Sequence, residues 1–310
     1  MNRKTNLAII IPAYKSAYLT RTLESLASQS NKNFHVFVGD DASSAQIEEI
    51  VLKFSHYIPI TYHRFDQNIG RKDLTAQWQR CIELANGYDW IWLFSDDDIF
   101  SPDAVASVHK ELLKKQKYDI YRLRVDVIDS NETVLHKNPP PQSVCSGTDF
   151  LLQKWQGKRS SFAVEYIFRA SHFKQIGGFS KYDLAWNSDD ATWFRMSQPH
   201  GIAGISLGSV QWRSSGINIS RDESISTAMR KIKADIAFMS EIIPQLPAIH
   251  SFEGIRCRIS MLTWFLTSLK CKILIHPEID PKLYIKQVSS LAGSPFLYPL
   301  ARLYFSKKNV

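Results

Sequence analysis

The chain has 310 residues, 44% of them hydrophobic, and a formal net charge of +8. It is long enough for a large core, in one big domain or one domain plus a subdomain. The absence of low-complexity tracts and fixed-period repeats excludes solenoids and long disordered regions. The positive balance fits anionic substrates or an anionic lipid surface; no recognisable nucleic-acid module accompanies it, so no nucleic-acid partner is expected.

The opening "MNRKTNLAIIIPAY" has a basic tip, but its apolar run is short and broken by Pro12, unlike a secretory signal. No run of 18 apolar residues suggests a membrane span. Cys81, Cys145, Cys257 and Cys271 are scattered without a CxxC pair, which predicts reduced thiols in a cytoplasmic protein. Strands are predicted at "LAIIIPAY" (7–14), "FHVFVGDD" (34–41), "ITYHRF" (60–65), "DWIWLFS" (89–95) and "YDIYRLRVDVID" (118–129). Helices are predicted at 18–30, 44–57, 71–86 and 101–116, the last with Ser101 as N-cap and Pro102 at the first helical position. Alternation of this kind implies a doubly wound parallel sheet with right-handed crossovers. A proline-rich loop, "NPPPQSV" (138–144), is a candidate boundary; 145–220 mixes short elements, and from 222 the pattern turns helical and basic.

Ligands of such sheets bind beyond the carboxyl ends of the strands. Two predicted strands end there in acid: Asp40–Asp41, and Asp96, Asp97 and Asp98 in "WIWLFSDDDIFSP". Adjacent carboxylates repel and are expensive to bury alone. One acid before a helix complements its dipole; three together suit a hard cation held against a diphosphate. Asp40 and Asp41 read equally as a turn and cap. A later pair, Asp189–Asp190, reads as a general base or as a helix cap. Trp186, just before that pair, reads as a stacking platform for a ligand or as core. Glu165 is a further candidate acceptor contact, and isolated histidines (His63, His109, His172) read as structural.

The ordered series "IIIPAY", "FVGDDASS", "NIG", "WIWLFSDDDIFSP", "IGGFSKYDLAWNSDDATWFR" and "QWRSSGINIS" resembles GT-A glycosyltransferases of family 2 over about residues 1–220. The resemblance implies an α/β, GT-A type, Rossmann-like and mostly parallel sheet flanked by helices. It divides the chain into a catalytic domain at 1–220, with a nucleotide-binding half (1–130) and an acceptor half (131–220), and a helical basic extension at 221–310. It implies an inverting enzyme that moves a sugar from a nucleoside-diphosphate sugar, a UDP-sugar first, to a hydroxyl of a glycan or lipid-linked acceptor, with Mn²⁺ or Mg²⁺. Pro12, Ala13 and Tyr14 would line the base; Asp41 would hydrogen-bond it, with Asp40 alongside. Asn68, Gly70 and Arg71 would lie near base or phosphate. Asp96 and Asp97 would approach ribose and diphosphate, with Asp97 and Asp98 as metal ligands. Asp189 would be the general base, with Asp190 the alternative. Many relatives carry His two residues after the late Arg; Ser215 stands there, leaving Arg213 as the candidate phosphate contact.

The C-terminal basic helices, around Trp264 and Lys270, read as a cap on the core or as peripheral contact with the inner face of a membrane. The competing functional reading is a non-catalytic nucleotide-sugar-binding module of a glycan-assembly complex. A nucleotidyltransferase fits less well, because "PAYKSAYLT" lacks the glycines of a phosphate loop.

Overall fold

A computed structural model describes residues 6–114, 117–216 and 222–291. The first half alternates as expected: β1 (Leu7–Ala13), α1 (Leu19–Ala27), β2 (His35–Asp40), α2 (Ile47–Leu52), β3 (Ile60–Arg64), α3 (Leu74–Glu83) and β4 (Trp90–Leu93). Successive β1 residues point to opposite faces: Leu7, Ile9 and Ile11 join one apolar cluster, and Ala8 and Ile10 join the other. Helices cover both faces, which is why the strand is apolar throughout rather than alternating.

The next elements are β5 (Ile99–Phe100), α4 (Ala104–Leu112), β6 (Ile120–Ile128), β7 (Val134–Lys137), β8 (Val144–Cys145), α5 (Gly147–Trp155), β9 (Tyr166–Arg169), α6 (Ala170–Gln175), α7 (Ser188–Met196) and β10 (Ile202–Arg213). The main sheet order is β3-β2-β1-β4-β9-β6-β10-β5. The sheet departs from an all-parallel one. From β3 to β4 every pairing is parallel, but β9 enters antiparallel between β4 and β6. β6 and β10 are parallel to each other, so the carboxyl ends of β1, β2, β4, β6 and β10 share one edge.

Helix α4 begins later than expected. Asp103, not Ser101, is its N-cap position, because Ile99–Phe100 pair with β10 and the Ser101 hydroxyl accepts the Ser209 N–H at 2.9 Å. Lys115 and Gln116, which the expected helix included, lie outside the described residues.

After β10 come α8 (Ile225–Ile242), α9 (Phe252–Ile275) and α10 (Pro281–Leu291). Their buried residues, among them Ile232, Phe238, Phe265 and Ile285, share one apolar cluster with Phe150, Trp155 and Trp193. Each such large side chain contributes roughly 1.5–3 kcal/mol by leaving water. No helix of the described residues is long and apolar enough to cross a membrane.

Candidate functional site at the carboxyl edge of the sheet

Tyr14 follows β1 directly and is half exposed (50%), so its ring is presented at the edge. Its carbonyl accepts the Ser43 hydroxyl at 2.6 Å, which ties the end of β1 to the turn after β2. Pro12 and Ala13 are the last residues of β1, paired with Gly39 and Asp40. Asp40 is fully buried and serves the scaffold, accepting from the Ser43 N–H, the Tyr62 hydroxyl and Arg64.

Asp41 is bound into the loop after β3. One oxygen accepts the Ile69 N–H and Arg80 (2.9 and 2.5 Å); the other accepts Asn68 Nδ2 and the Gly70 N–H (both 2.9 Å). With four donors its carboxylate is saturated by protein groups, and it shapes the 68–70 loop. Gly70 is required by that closeness, because a Cβ there would stand 2.6 Å from Asp41 Oδ2. Arg71 is exposed on the rim of this loop.

The aspartate triplet divides into three environments. Asp96 Oδ2 accepts the backbone N–H groups of Tyr14 and Lys15, both at 2.9 Å, and so joins the ends of β1 and β4. Burial, with the neighbouring Asp97 charge, pushes its carboxyl up to about 6 against those two donors. Among the described residues, the Ser95 hydroxyl (2.5 Å) is the one donor to the Asp97 carboxylate. Asp98 lies deepest of the three. It is fully buried; Oδ1 takes the Arg213 N–H at 2.6 Å, and among the described residues Oδ2 has no partner. Burial, then the Asp97 charge, pushes its carboxyl well above the usual range.

Arg213 also departs from the expected phosphate contact. Its side chain is fully buried, over the Tyr18 ring, and it donates to the backbone carbonyls of Asp97, Asp129 and Ser130 and to Glu132. It therefore braces the aspartate triplet from behind. Glu132 also receives Arg21, whose hydrogen bond is the largest cause of a Glu132 carboxyl held down to about 2. Asn218, Ile219 and Ser220 of the late segment lie outside the described residues.

The later acidic pair comes to the same edge. Phe179 stacks edge-on to Trp78 of α3, and the adjoining Gly178 lies against Gln79. Asp73, the N-cap of α3, has its carboxyl held below the usual range by the Thr75 hydroxyl and the Ala76 N–H, with Lys181 contributing. Residues 178–181 thus run along α3 toward its N-terminus, where the 68–70 loop sits. Helix α7 doubles back: the Tyr182 N–H donates to Ser188, the Ser180 N–H to Thr192, and Arg195 to Gly178. Its first turn, carrying Asp189 and Asp190, therefore stands at the carboxyl edge.

The pair is not symmetrical. Asp190 is buried (2% exposed) and ion-paired with Lys154 of α5, its other oxygen unpartnered. Asp189 is half-buried; its Oδ1 accepts the Asp190 N–H at 2.9 Å, and burial pushes its carboxyl up against the pull of Lys154. The turn before them holds three left-handed non-glycine residues, Leu184, Ala185 and Asn187 (φ 61°, 53° and 63°), each costing about 1–3 kcal/mol. Trp186 is half-buried, its indole N–H donated to Asp235 at 2.8 Å. Glu165 is fully buried against Arg122, which removes it as an acceptor contact.

The motifs did not mark Arg80, Lys154 or Asp235. Lys154 and Asp235 are charges inside apolar runs, "LLQKW" and "IKADIAF", and that misfit was the available signal. Among the described residues no three His, Cys, Asp or Glu side chains form a metal cage. A hard cation that keeps waters and substrate phosphates needs only one or two carboxylates, and Asp97, at a strand end with a single donor, fits that need.

The model of Glycosyl transferase family 2 matches residues 8–177. An uncharacterized glycosyltransferase of Haemophilus influenzae is 28% identical over 177 residues, 56% of this chain and 56% of that protein. The chain spans about half the length of the first curated relatives it matches. In fold, it is similar to S. aureus TarS 1-349 in complex with UDP-GlcNAc (TM-score 0.62, 15% identity, 97% of this chain and 91% of that one). It is also similar to the mannosyltransferase PcManGT from Pyrobaculum calidifontis in complex with GDP-Man and Mn²⁺ (TM-score 0.57, 11% identity, 99% and 89%). Because the family model covers more than half of its residues, with the acidic ends of β2 and β4 inside the match, the chain belongs to glycosyl transferase family 2.

Proposed function

We propose that the protein is an inverting glycosyltransferase that moves a sugar from a nucleoside-diphosphate sugar to an acceptor hydroxyl of a glycan or lipid-linked glycan. What supports this reading is that Asp96 joins the carboxyl ends of β1 and β4 beside Tyr14 and Asp97, while the turn leading to Asp189 runs along α3 toward that same edge. Tyr14 offers a ring to the base, and the 68–71 loop, backed by Asp41, closes one side. Arg71 is placed for phosphate or base. The nucleotide sugars named for TarS and PcManGT make UDP- and GDP-sugars the first donors to test.

Asp189 acts as general base. It must stand within hydrogen-bond reach of the acceptor hydroxyl and take its proton as the hydroxyl attacks the anomeric carbon. The leaving diphosphate departs from the opposite face through an oxocarbenium-like transition state, which inverts the centre. Asp190 is the weaker choice, because Lys154 already holds its carboxylate. A bound Mn²⁺ or Mg²⁺, held by Asp97, would neutralise charge developing on the diphosphate. Residues 1–220 form the catalytic unit in this reading, and 221–310 form its helical extension. The outward stripe of α9 (Phe252, Ile255, Ile259 and Leu274), beside exposed Arg256, is proposed to rest on an anionic bilayer carrying the acceptor.

A thermal-shift screen of UDP-, GDP- and dTDP-sugars with and without Mn²⁺ tests the donor and the metal, since a ligand that binds only the folded state raises the melting point. The Asp97→Asn variant is expected to lose the Mn²⁺-dependent part of the shift. A wild-type shift in that variant removes Asp97 as ligand. Nucleotide-sugar binding without nucleotide release on any acceptor pool favours the non-catalytic module instead.

A further inference from the structure

Helix α8 grips the turn that aims the acidic pair along its whole length. Arg230 donates to both Asp183 oxygens at 2.8 and 2.6 Å. Lys231 Nζ lies 4.8 Å from the centre of the Trp186 ring. Asp235 Oδ1 accepts Trp186 Nε1 at 2.8 Å and Asn187 Nδ2 at 2.9 Å. Glu241 accepts the Ser180 and Tyr182 hydroxyls. Between these holds lie the left-handed Leu184, Ala185 and Asn187. A run of non-glycine residues in that conformation persists only where its surroundings over-determine it, and α8 supplies them.

Asn187 is the hinge of this arrangement. It is the N-cap position of α7, two residues before Asp189, and its amide is held at both ends. Nδ2 donates to Asp235, while Oδ1 accepts Lys154 Nζ at 3.1 Å, and Lys154 in turn pairs with Asp190. Asp235 is 1% exposed, and its other oxygen faces Ser268 and Lys272 of α9 at 3.4 and 3.5 Å. A continuous polar path therefore joins α9 to the start of α7 through Asp235. All of it lies beyond residue 177, outside the family match, except Lys154.

We infer that Asp235 is a positioning residue for the transfer reaction: by fixing Trp186 and Asn187 it holds the strained turn and sets the aim of Asp189. This rests on the reading of Asp189 as base. Asp235 touches no substrate. It acts through backbone geometry, and a misplacement of about 1 Å at a reacting group can cost on the order of 100-fold in rate. Asn retains an oxygen that accepts from Trp186 and Asn187, whereas Ala does not.

The test compares Asp235→Ala with Asp235→Asn in the full chain. The assay reads nucleoside diphosphate released from UDP-N-acetylglucosamine, UDP-galactose and GDP-mannose with Mn²⁺ and water as acceptor. Asp235→Ala is expected to lower kcat about 100-fold with donor KM unchanged, and Asp235→Asn to recover most of that loss. Hydrogen exchange supplies a readout independent of turnover: amides of 183–190 exchange faster in Asp235→Ala, while those of β1, β2 and β4 do not. Should Asp235→Ala fold poorly, the surface pair answers the same question. Arg230→Asp lowers kcat, and Asp183→Arg added to it restores kcat. Unchanged kcat and unchanged exchange in Asp235→Ala, or a fall in both alanine and asparagine variants that tracks only the folded fraction, overturns the inference. Asp189→Asn separates the two readings. If it abolishes release while Asp235→Ala does not, the positioning role alone fails; if it leaves release intact, the base assignment fails and takes the positioning role with it.

Discussion

Asp189 and Asp190 share a helical turn but not an environment. Lys154 takes the buried Asp190, so Asp190→Ala removes the ion pair of a largely enclosed ammonium. That change is expected to cost about 3–5 kcal/mol of stability, read as a lower denaturant midpoint; a midpoint within error of the wild type contradicts the pairing. Asp189 can act only when ionised, and burial raises its carboxyl above the usual range. Transfer should therefore rise with pH through a value above that of an ordinary aspartate. The stability sign is the reverse: a raised carboxyl favours the fold in acid, and that contribution is lost as pH rises through the folded value. A kcat profile whose acidic limb sits at or below the ordinary carboxylate value removes Asp189 as the base. The acidic pair itself was legible in the chain as "NSDDATWFR". Which member is occupied was not, because the occupant, Lys154, is distant in sequence.

At the level of elements, the loop after β3 depends on one missing Cβ. In Gly70→Ala the new methyl would meet Asp41 Oδ2 at 2.6 Å. Forcing atoms into a packed site costs about 1–3 kcal/mol, so binding of UDP or GDP is expected to weaken about tenfold or more, measured by calorimetry. Equal affinity would detach this loop from the nucleotide. Helix α9 offers the second element-scale test. Phe252→Asp with Ile259→Asp is expected to reduce co-sedimentation with anionic vesicles, and undiminished binding rules out that face as the membrane contact. Strand periodicity and acidic strand ends located β1, β2 and β4 within a few residues. The start of α4 was misread because Ser101 had a tertiary partner, Ser209, that no local rule anticipates.

Across the whole molecule, α8–α10 complete the core on one face of the sheet, and α8 holds the turn before Asp189. A chain ending at residue 220 would uncover Trp155, whose ring packs against Phe238 of α8, and the part of the shared apolar cluster that α8–α10 contribute. It is expected to aggregate or to be purified without transferase activity; a monomeric truncation with full kcat would refute the dependence. The amino-acid order alone determined the α/β alternation, the two acidic strand ends and the resemblance to family 2, because these follow from periodicity and from short motifs whose residues act within a few positions of one another. Only the tertiary structure decided which carboxylates are engaged by basic or backbone partners from elsewhere in the chain. Asp41, Asp98 and Asp190 look as available as Asp97 and Asp189 in one dimension. Their partners (Arg80, Arg213 and Lys154) arrive from tens to more than a hundred residues away, and the burial that raises or satisfies a carboxyl exists only once those segments have packed.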